Sequence, residues 1–252
     1  MKLSIITVCL NSETTIADTI HSVLGQSFSN YEYIIFDGGS TDNTLDIIKT
    51  FGSQITLIQG KDNGIFDAMN QAITLASGEI IGILNSDDFY SHNQVLGKVV
   101  SEFDSANVDS VYGDLIYVQR ENIDRVWRIW KSGDFKKSNF DLGWAPPHPT
   151  FFVKKSIYQK YGVFDSDFRI SGDYELMLRF LYKYEVSTAY LPDFMVKMRT
   201  GGNSSGKALS KVKSIAEDIR AWRVNALTPR FFTVPLKVLR KLPQFFVGQS
   251  NQ

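Results

Sequence analysis

The polar side chains best suited to chemistry in this 252-residue chain stand directly after apolar, strand-like runs. Carboxylate and amide oxygens bind divalent cations and accept hydrogen bonds from bases and hydroxyl groups. The candidates are Asn11 and Glu13 after residues 3–10, Asp37 at the end of residues 31–37, Asp62 soon after residues 55–59, and Asn85, Asp87 and Asp88 after residues 79–84. This spacing predicts one polar cleft at the ends of four strands, able to hold a metal ion.

The elements that must position these side chains alternate between strand and helix patterns over the first hundred residues. Each of the four apolar runs is typical of a strand buried on both faces. After each of the first three runs, apolar residues recur with the spacing of a helix, and Ile16, Ile20 and Val23 lie on one face of the first helix. This alternation predicts parallel β-α-β units, in which ligands bind at the carboxyl ends of the strands. No glycine-rich dinucleotide loop follows the first run, since the first glycine is Gly25.

A different pattern begins after residue 100. The runs 108–119 and 125–131 alternate apolar and polar side chains on either side of a polar turn, which predicts a β-hairpin. Residues 173–184 and 207–226 have the apolar spacing of helices. The sequence therefore predicts an α/β fold that ends in a helical tail.

The composition is that of an ordinary globular protein. Hydrophobic residues make up 43% and charged residues 21% of the chain, which excludes a disordered or collagen-like protein. The single cysteine, Cys9, excludes a disulfide framework and is typical of a reducing compartment. We expect no transmembrane helix and no signal peptide, and hence a cytoplasmic protein.

The formal net charge of zero hides an uneven distribution of charge. Residues 207–252 contain nine Lys or Arg and two acidic residues, so a basic tail follows an acidic body. A nucleic-acid-binding protein is basic on its working face, so the pattern argues against nucleic acid as a partner. In residues 229–246, apolar Leu236, Leu239, Leu242 and Phe246 are interleaved with cations, as in a helix lying on an anionic membrane surface. Packing against the body, or against a second subunit in a homodimer, is the alternative.

Five ordered motifs in the chain resemble those of the family-two inverting glycosyltransferases of the GT-A fold. They are TVCLN at 7–11, FDGGSTDNT at 36–44, DNGIFDAMNQAI at 62–73, GEIIGILNSDD at 78–88 and SGDYELMLRF at 171–180. The resemblance covers about residues 1–205. It is strongest to the bacterial enzymes that build capsule, O-antigen or exopolysaccharide units on a lipid carrier.

This resemblance implies a fold, a reaction and a division of the chain. The fold would be a GT-A-like mixed central sheet flanked by helices. The reaction would move a sugar from a nucleotide-diphosphate donor, with a UDP-sugar favoured, to a hydroxyl of a saccharide or lipid-linked acceptor, with inversion. Residues 1–100 would form the nucleotide-binding half and 101–206 the acceptor-binding half of one domain. Residues 207–252 would be an amphipathic basic extension that holds the enzyme peripherally on the inner face of the plasma membrane.

The resemblance also implies roles for individual residues. Asp173 would be the catalytic base, although Gly172 replaces the glutamate that usually precedes it. The substrate-binding residues would be Thr7, Asn11, Glu13, Asp37, Asp62, Asp67, Asn70, Asn85, Asp87, His148 and Arg199. The family's metal motif, DxD, is altered because Asn85 stands at its first acidic position. Mg²⁺ or Mn²⁺ would therefore rest on Asp87, assisted by Asp88.

Structural roles remain alternatives for several of these residues. Glu13 is also suited to a first helical turn, where the helix dipole favours an acid. Asp67 and Asn70 fit an exposed helix surface, His148 a buried structural position, and Arg199 an ordinary connector.

Two rival functions remain open for the whole chain. One is a non-catalytic nucleotide-sugar-binding or scaffold protein, which the altered metal motif would suit. The other is a nucleotidyltransferase, which would need a basic, glycine-rich loop that residues 9–24 lack.

Overall fold

The computed structural model of the protein describes residues 1–201, 208–240 and 244, with backbone alone at 208–211. Leu242 and Phe246 of the predicted membrane-binding stripe lie outside these residues. Within the described ranges, no helix has both the length and the apolar character needed to cross a bilayer.

The first half of the chain follows the predicted order of strands and helices. Its elements are β1 (Leu3–Cys9), α1 (Ile16–Leu24), β2 (Tyr31–Asp37), α2 (Thr44–Lys49), β3 (Thr56–Gln59), α3 (Ile65–Leu75), β4 (Ile80–Ile83), β5 (Asp88–Tyr90) and α4 (Val95–Ala106). The short strand β5 was not predicted, because a three-residue strand carries almost no periodic signal.

The second half contains the predicted hairpin and helices together with shorter elements. They are β6 (Ser110–Val118), β7 (Val126–Trp130), α5 (Ser138–Asp141), β8 (Phe152–Lys154), α6 (Lys155–Tyr161), α7 (Gly172–Met177), β9 (Thr188–Arg199), α8 (Ala208–Val224) and α9 (Thr233–Leu239). A π-helical segment, Leu178–Lys183, continues α7. The hairpin is confirmed, since β6 and β7 pair antiparallel with Tyr117 opposite Arg128.

The described residues build one mixed sheet of nine strands. Its order is β3-β2-β1-β4-β8-β6-β9-β5, with β7 paired to β6. Strands β1 to β4 are parallel, as predicted, while β8 runs antiparallel to both β4 and β6. The carboxyl ends of β1 to β4 therefore meet at one edge, where the polar residues of the sequence stand.

The sheet is buried on both faces. On β1, Leu3 and Ile5 pack in one apolar cluster, while Ile6 and Val8 pack in the other. This alternation explains the uninterrupted apolar run, because a strand covered on both sides needs apolar residues at every position.

Helix α8 packs against the second of these clusters. Trp222 is fully buried there, and its indole nitrogen donates to the hydroxyl of Tyr174 on α7 at 3.0 Å. Asn225 donates from its side-chain amide to Glu175 at 3.0 Å. The helix that begins at Ala208 is thus joined to α7 by packing and by hydrogen bonds.

Candidate active site

Hydrogen bonds join the loops that follow β1, β2 and β4. The Asn11 side-chain oxygen Oδ1 accepts the Thr41 backbone N–H at 2.8 Å. Glu13 likewise accepts the backbone N–H of Asn43 at 3.0 Å. The hydroxyls of Ser12 and Ser86 lie 2.9 Å apart, which connects the β1 loop to the β4 loop. These strand ends are therefore assembled at one edge, as the sequence pattern predicted.

Asp37 lies at the centre of this edge but is fully buried. One carboxylate oxygen accepts the backbone N–H groups of Gly39 and Ser40, at 3.0 and 2.9 Å, and the other accepts the Ser40 hydroxyl at 2.5 Å. The Cys9 thiol also reaches Asp37, at 3.5 Å. Asp37 therefore shapes the loop that follows β2, and its direct contact with a nucleobase stays a prediction.

Asp62 connects the loop after β3 to the same edge. Its Oδ1 accepts the Gly64 N–H at 2.8 Å. A Cβ atom added at Gly38 would lie 2.4 Å from its Oδ2, so the two loops approach closely and a larger residue at position 38 would displace the Asp62 carboxylate. Gly64 itself has φ +125°, a conformation that side-chain-bearing residues rarely adopt.

Three of the predicted substrate-binding residues serve the framework in this arrangement. Thr7 is fully buried, and its hydroxyl lies 3.0 Å from the Tyr33 hydroxyl. Asp67 accepts the Asn63 N–H at 2.9 Å, before the start of α3. Asn70 both donates to and accepts from the backbone of Phe164, at 2.9 Å each. These contacts are structural, and substrate contact by these residues remains untested.

The segment Asn85–Asp88 turns its two adjacent acids in different directions. Asp88 is fully buried, accepts from the Asn85 side chain at 2.8 Å and accepts the Arg199 N–H at 3.3 Å. Burial, with the charge of Asp87 adding to it, raises the pKa of Asp88 well above its usual range. The side chain of Asp87 is 26% exposed. Of the two acids, only Asp87 is partly exposed.

Arg199 is buried beneath this turn. Its guanidinium donates to the Asp87 carbonyl at 2.8 Å, pairs with Asp18 and lies 4.8 Å from the Phe89 ring centroid. Its side chain is 3% exposed. In this arrangement Arg199 holds the turn in place, and the predicted contact with a diphosphate would require it to leave these partners.

The predicted catalytic base stands at the beginning of α7. Asp173 is half-buried, and its Oδ1 accepts the Tyr174 N–H at 2.7 Å. Burial lowers the pKa of His148, while the negative charge of Asp173 opposes that shift. Burial raises the pKa of Tyr117, and the charges of both Asp88 and Asp173 raise it further. Tyr117 therefore lies within electrostatic reach of both the Asn85–Asp88 turn and Asp173.

Two arginines lie near this edge, and no sequence motif predicted their position there. Arg120, on the turn between β6 and β7, places a guanidinium nitrogen 3.7 Å from an Asp87 carboxylate oxygen. Arg169, two residues before Ser171 at the start of α7, donates to the carbonyl oxygen of Asn63. Their positions depend on how the hairpin and the α7 segment pack, which residue spacing does not report.

Asp87 is the residue that fits a divalent cation. Mg²⁺ is commonly held by one or two carboxylates with substrate phosphates and water filling the other positions. Across the part of the chain that the structure describes, no group of three or more His, Cys, Asp or Glu side chains is arranged to hold a metal ion. One exposed carboxylate therefore suits an ion that arrives with a diphosphate.

The mixed sheet and its polar edge match the GT-A-like fold of known glycosyltransferases. Residues 4–185 match the family described as Glycosyl transferase family 2, so the chain belongs to that family and is a glycosyltransferase. The structure resembles S. aureus TarS in complex with UDP-GlcNAc, with a TM-score of 0.69 and 18% identity. That match covers 90% of this chain and 66% of the other. The resemblance inferred from the motifs, and the α/β fold with a mixed sheet, are confirmed.

Other known proteins resemble the chain at similar levels. The PGL/p-HBAD biosynthesis glycosyltransferase of Mycobacterium bovis is 26% identical over 215 residues, which span 82% of this chain and 80% of the relative. The mannosyltransferase PcManGT from Pyrobaculum calidifontis, in complex with GDP-Man and Mn²⁺, has a TM-score of 0.66 and 15% identity. That match covers 98% of this chain and 73% of the other.

Proposed function

We propose that this glycosyltransferase moves a hexosyl or N-acetylhexosaminyl group from a nucleotide-diphosphate sugar, with a UDP-sugar favoured, to a hydroxyl group, with inversion. The acceptor would be a saccharide or a lipid-linked saccharide in surface polysaccharide synthesis. The observation that carries the proposal is that Arg169, four residues before Asp173, donates to the Asn63 carbonyl in the loop after β3, while the charges of Asp173 and Asp88 both act on Tyr117 and raise its pKa. A carboxylate that activates the acceptor and a turn that binds the diphosphate would together allow the acceptor to displace the diphosphate from the anomeric carbon in one step.

The donor would bind along the edge formed by the loops after β1, β2 and β3. Asp37 and Asp62 order these loops, and Asn11 and Glu13 tie the β1 loop to the β2 loop. Preorganised loops lower the entropic cost of binding a ligand. TarS, which has the same fold, is known with UDP-GlcNAc, and this supports a uridine nucleotide as the first donor to test.

Asp87 would hold Mg²⁺ or Mn²⁺ against the two phosphates of the donor. The ion would supply positive charge that stabilises the departing diphosphate. Asn85, bonded to Asp88 in the same turn, offers an uncharged amide to a ribose hydroxyl.

Asp173 would act as the general base. Its carboxylate removes the proton from the acceptor hydroxyl as that oxygen attacks the anomeric carbon, on the face opposite the leaving diphosphate. The new glycosidic bond forms as the bond to the diphosphate breaks, so no covalent enzyme intermediate is needed. His148, kept neutral by burial, would line the site beside Asp173.

Replacing Asp173 by Asn should lower turnover about 10²–10⁴-fold, because a positioned base contributes about that much. Donor affinity should be retained, since the donor contacts lie at the other strand ends. The measurement is UDP release in single-turnover and steady-state assays with a verified acceptor. Normal turnover by this variant would remove Asp173 from the mechanism.

A thermal-shift screen tests the proposed donor directly. A ligand that binds only the folded state stabilises it by RT ln(1 + [L]/Kd), about 2.7 kcal/mol when its concentration is 100 times Kd. UDP-GlcNAc, UDP and GDP-mannose should be compared with and without Mn²⁺. Stabilisation by one nucleotide sugar, followed by its turnover, would exclude the scaffold alternative. No response to any of them would count against the proposal.

The last described residues support peripheral attachment to the cytoplasmic face of a membrane. Phe231 is 93% exposed, and Val238 and Leu239 on α9 are 51% and 54% exposed. Arg230 and Arg240 flank these apolar side chains in sequence. Exposed apolar groups beside cations suit anionic lipid. Vesicle co-sedimentation with and without anionic lipid tests this, and self-association of the apolar surface is the alternative outcome.

A further inference from the structure

The segment that leads into the predicted base is bound by helix α8 through contacts that no motif indicated. The carboxylate of Glu217 accepts three successive backbone N–H groups, from Arg169 at 3.0 Å, Ile170 at 2.8 Å and Ser171 at 2.7 Å. Successive N–H groups that converge in this way form a binding site for a negative charge. Glu217 therefore fixes the backbone that ends two residues before Asp173.

The neighbours of Glu217 on the same face of α8 hold the same segment. Ser214, three residues earlier, has its hydroxyl 3.3 Å from the Ser171 hydroxyl. Arg220, three residues later, donates to the Asp167 carbonyl at 3.1 Å, and its guanidinium lies 4.6 Å from the Phe168 ring centroid. Residues three apart share a helix face, so one face of α8 binds residues 167–171 over two turns.

The opposite side of this segment contacts the donor edge. The Arg169 side chain donates to the carbonyl of Asn63, and a Cβ atom at Gly64 would lie 2.6 Å from the same guanidinium. Residues 167–171 are therefore held between α8 and the loop that carries Asp62. A shift in this segment would move the base relative to the donor.

We propose that Glu217 is a positioning residue for Asp173, and that α8 is in this way a working part of the catalytic site. This inference rests on the proposed function, in which Asp173 is the general base. A displacement of about 1 Å in a catalytic group lowers turnover by up to about 100-fold, even when the change lies outside the chemistry. Glu217 acts through the backbone and does not itself touch substrate.

The chain offers a matched control on the same helix. Asp218, the next residue, pairs with Lys237 of α9 at 2.6 Å, and its side chain is 6% exposed. Asp218→Asn removes the same charge and loosens the attachment of α9, while the bonds to residues 169–171 remain. If loss of stability alone mattered, Asp218→Asn would lower turnover at least as much as Glu217→Gln.

The experiment compares the unmodified protein, Glu217→Gln and Asp218→Asn by two readouts. Hydrogen exchange of peptides covering residues 165–175 should be faster in Glu217→Gln and unchanged in Asp218→Asn. Only the first variant loses the negative charge and one of the two oxygens that accept these N–H groups. The second readout is release of UDP from UDP-GlcNAc, or of GDP from GDP-mannose if that sugar is the one that stabilises the protein. In Glu217→Gln, kcat should fall about 10- to 100-fold while KM for the donor stays within about twofold.

Glu217→Asp supplies a second variant, which also serves if Glu217→Gln does not fold. It keeps the charge on a side chain one methylene shorter, so it should retain more turnover than Glu217→Gln. Unchanged exchange at residues 165–175, or a kcat within about twofold of the unmodified protein in Glu217→Gln, would overturn the inference. Absence of nucleotide turnover in the unmodified protein would instead overturn the proposed function itself.

Discussion

The carboxylates of the predicted site differ in their surroundings, and these differences assign them different tasks. Asp37 and Asp88 are fully buried and bonded to the loops beside them. Asp87 is partly exposed, and Asp173 is half-buried at the start of α7. A buried carboxylate that already accepts hydrogen bonds orders the backbone, whereas an exposed one is available to a cation or a proton. Residue type alone does not distinguish these cases.

The pKa of His148 makes the stability of the fold depend on pH. Burial lowers the pKa of this side chain in the folded protein. As the pH falls below the ordinary histidine pKa of about 6.5, the unfolded chain therefore binds a proton that folded His148 does not, and stability falls. His148→Gln should lose stability less steeply than the unmodified protein between about pH 7.5 and pH 5.5. Thermal unfolding across this range measures the difference. If stability depended on pH equally steeply in the unmodified protein and in His148→Gln, a lowered pKa of folded His148 would be contradicted.

At the scale of elements, the β6–β7 hairpin adds groups to the site that the parallel half of the sheet lacks. Its register places Arg128 opposite Tyr117, with the guanidinium 3.8 Å from the ring centroid. Its turn carries Arg120 to the carboxylate of Asp87. The hairpin therefore reaches the Asn85–Asp88 turn from outside the parallel part of the sheet.

Arg120→Met should have opposite effects on the binding of cation and nucleotide. The free protein should bind Mn²⁺ about two- to fivefold more tightly, because an exposed ion pair is worth about 0.2–1 kcal/mol and no longer competes for Asp87. We expect Arg120 to donate a hydrogen bond to the bound diphosphate. UDP should therefore bind about 10- to 150-fold more weakly, because a hydrogen bond to a charged group contributes about 1.5–3 kcal/mol. Titration calorimetry with Mn²⁺ alone and with UDP measures both.

The same hairpin turn offers the control. Arg125 is exposed on the turn, and Arg125→Met removes an equal charge away from Asp87. It should change neither affinity by more than about twofold. If Arg120→Met weakened the binding of both Mn²⁺ and UDP, the variant would have disturbed the fold. Unchanged UDP affinity would mean that Arg120 does not reach the diphosphate.

At the scale of the whole molecule, the chain after residue 207 is joined to the domain that precedes it. Trp222 is buried in the same cluster as α7, and Lys237 of α9 lies 3.5 Å from the Tyr174 ring centroid. The division of the chain at residue 206 therefore separates segments that pack together. The assignment of residues 207–252 as an amphipathic basic extension stays a prediction.

Trp222→Ala should lower the free energy of unfolding by about 3–5 kcal/mol, because it leaves a large cavity in a packed core. It also removes the donor to the Tyr174 hydroxyl. Denaturant unfolding measures the loss. Val224→Ala, on the same helix but 48% exposed, should change stability by no more than about 0.5 kcal/mol. A loss below about 1 kcal/mol for Trp222→Ala would mean that α8 contributes little to the fold.

Local patterns in the sequence were sufficient to predict the frame of this protein. The apolar runs predicted β1 to β4, because strands buried on both faces need continuous apolar residues. The alternating runs predicted the hairpin, and the polar residues after the strands predicted the edge that carries the site. The motifs identified the family, since each is a short, continuous string of residues.

Only the tertiary structure decided which of these polar side chains face the cleft. Asp87 and Asp88 are neighbours in sequence, yet one is exposed and the other buried, because β5 begins at Asp88 and turns it inward. The contact of Glu217 with residues 169–171 crosses more than 45 residues of chain and depends on how α8 packs. Such contacts arise from packing between distant segments, which carries no periodic signal in the sequence.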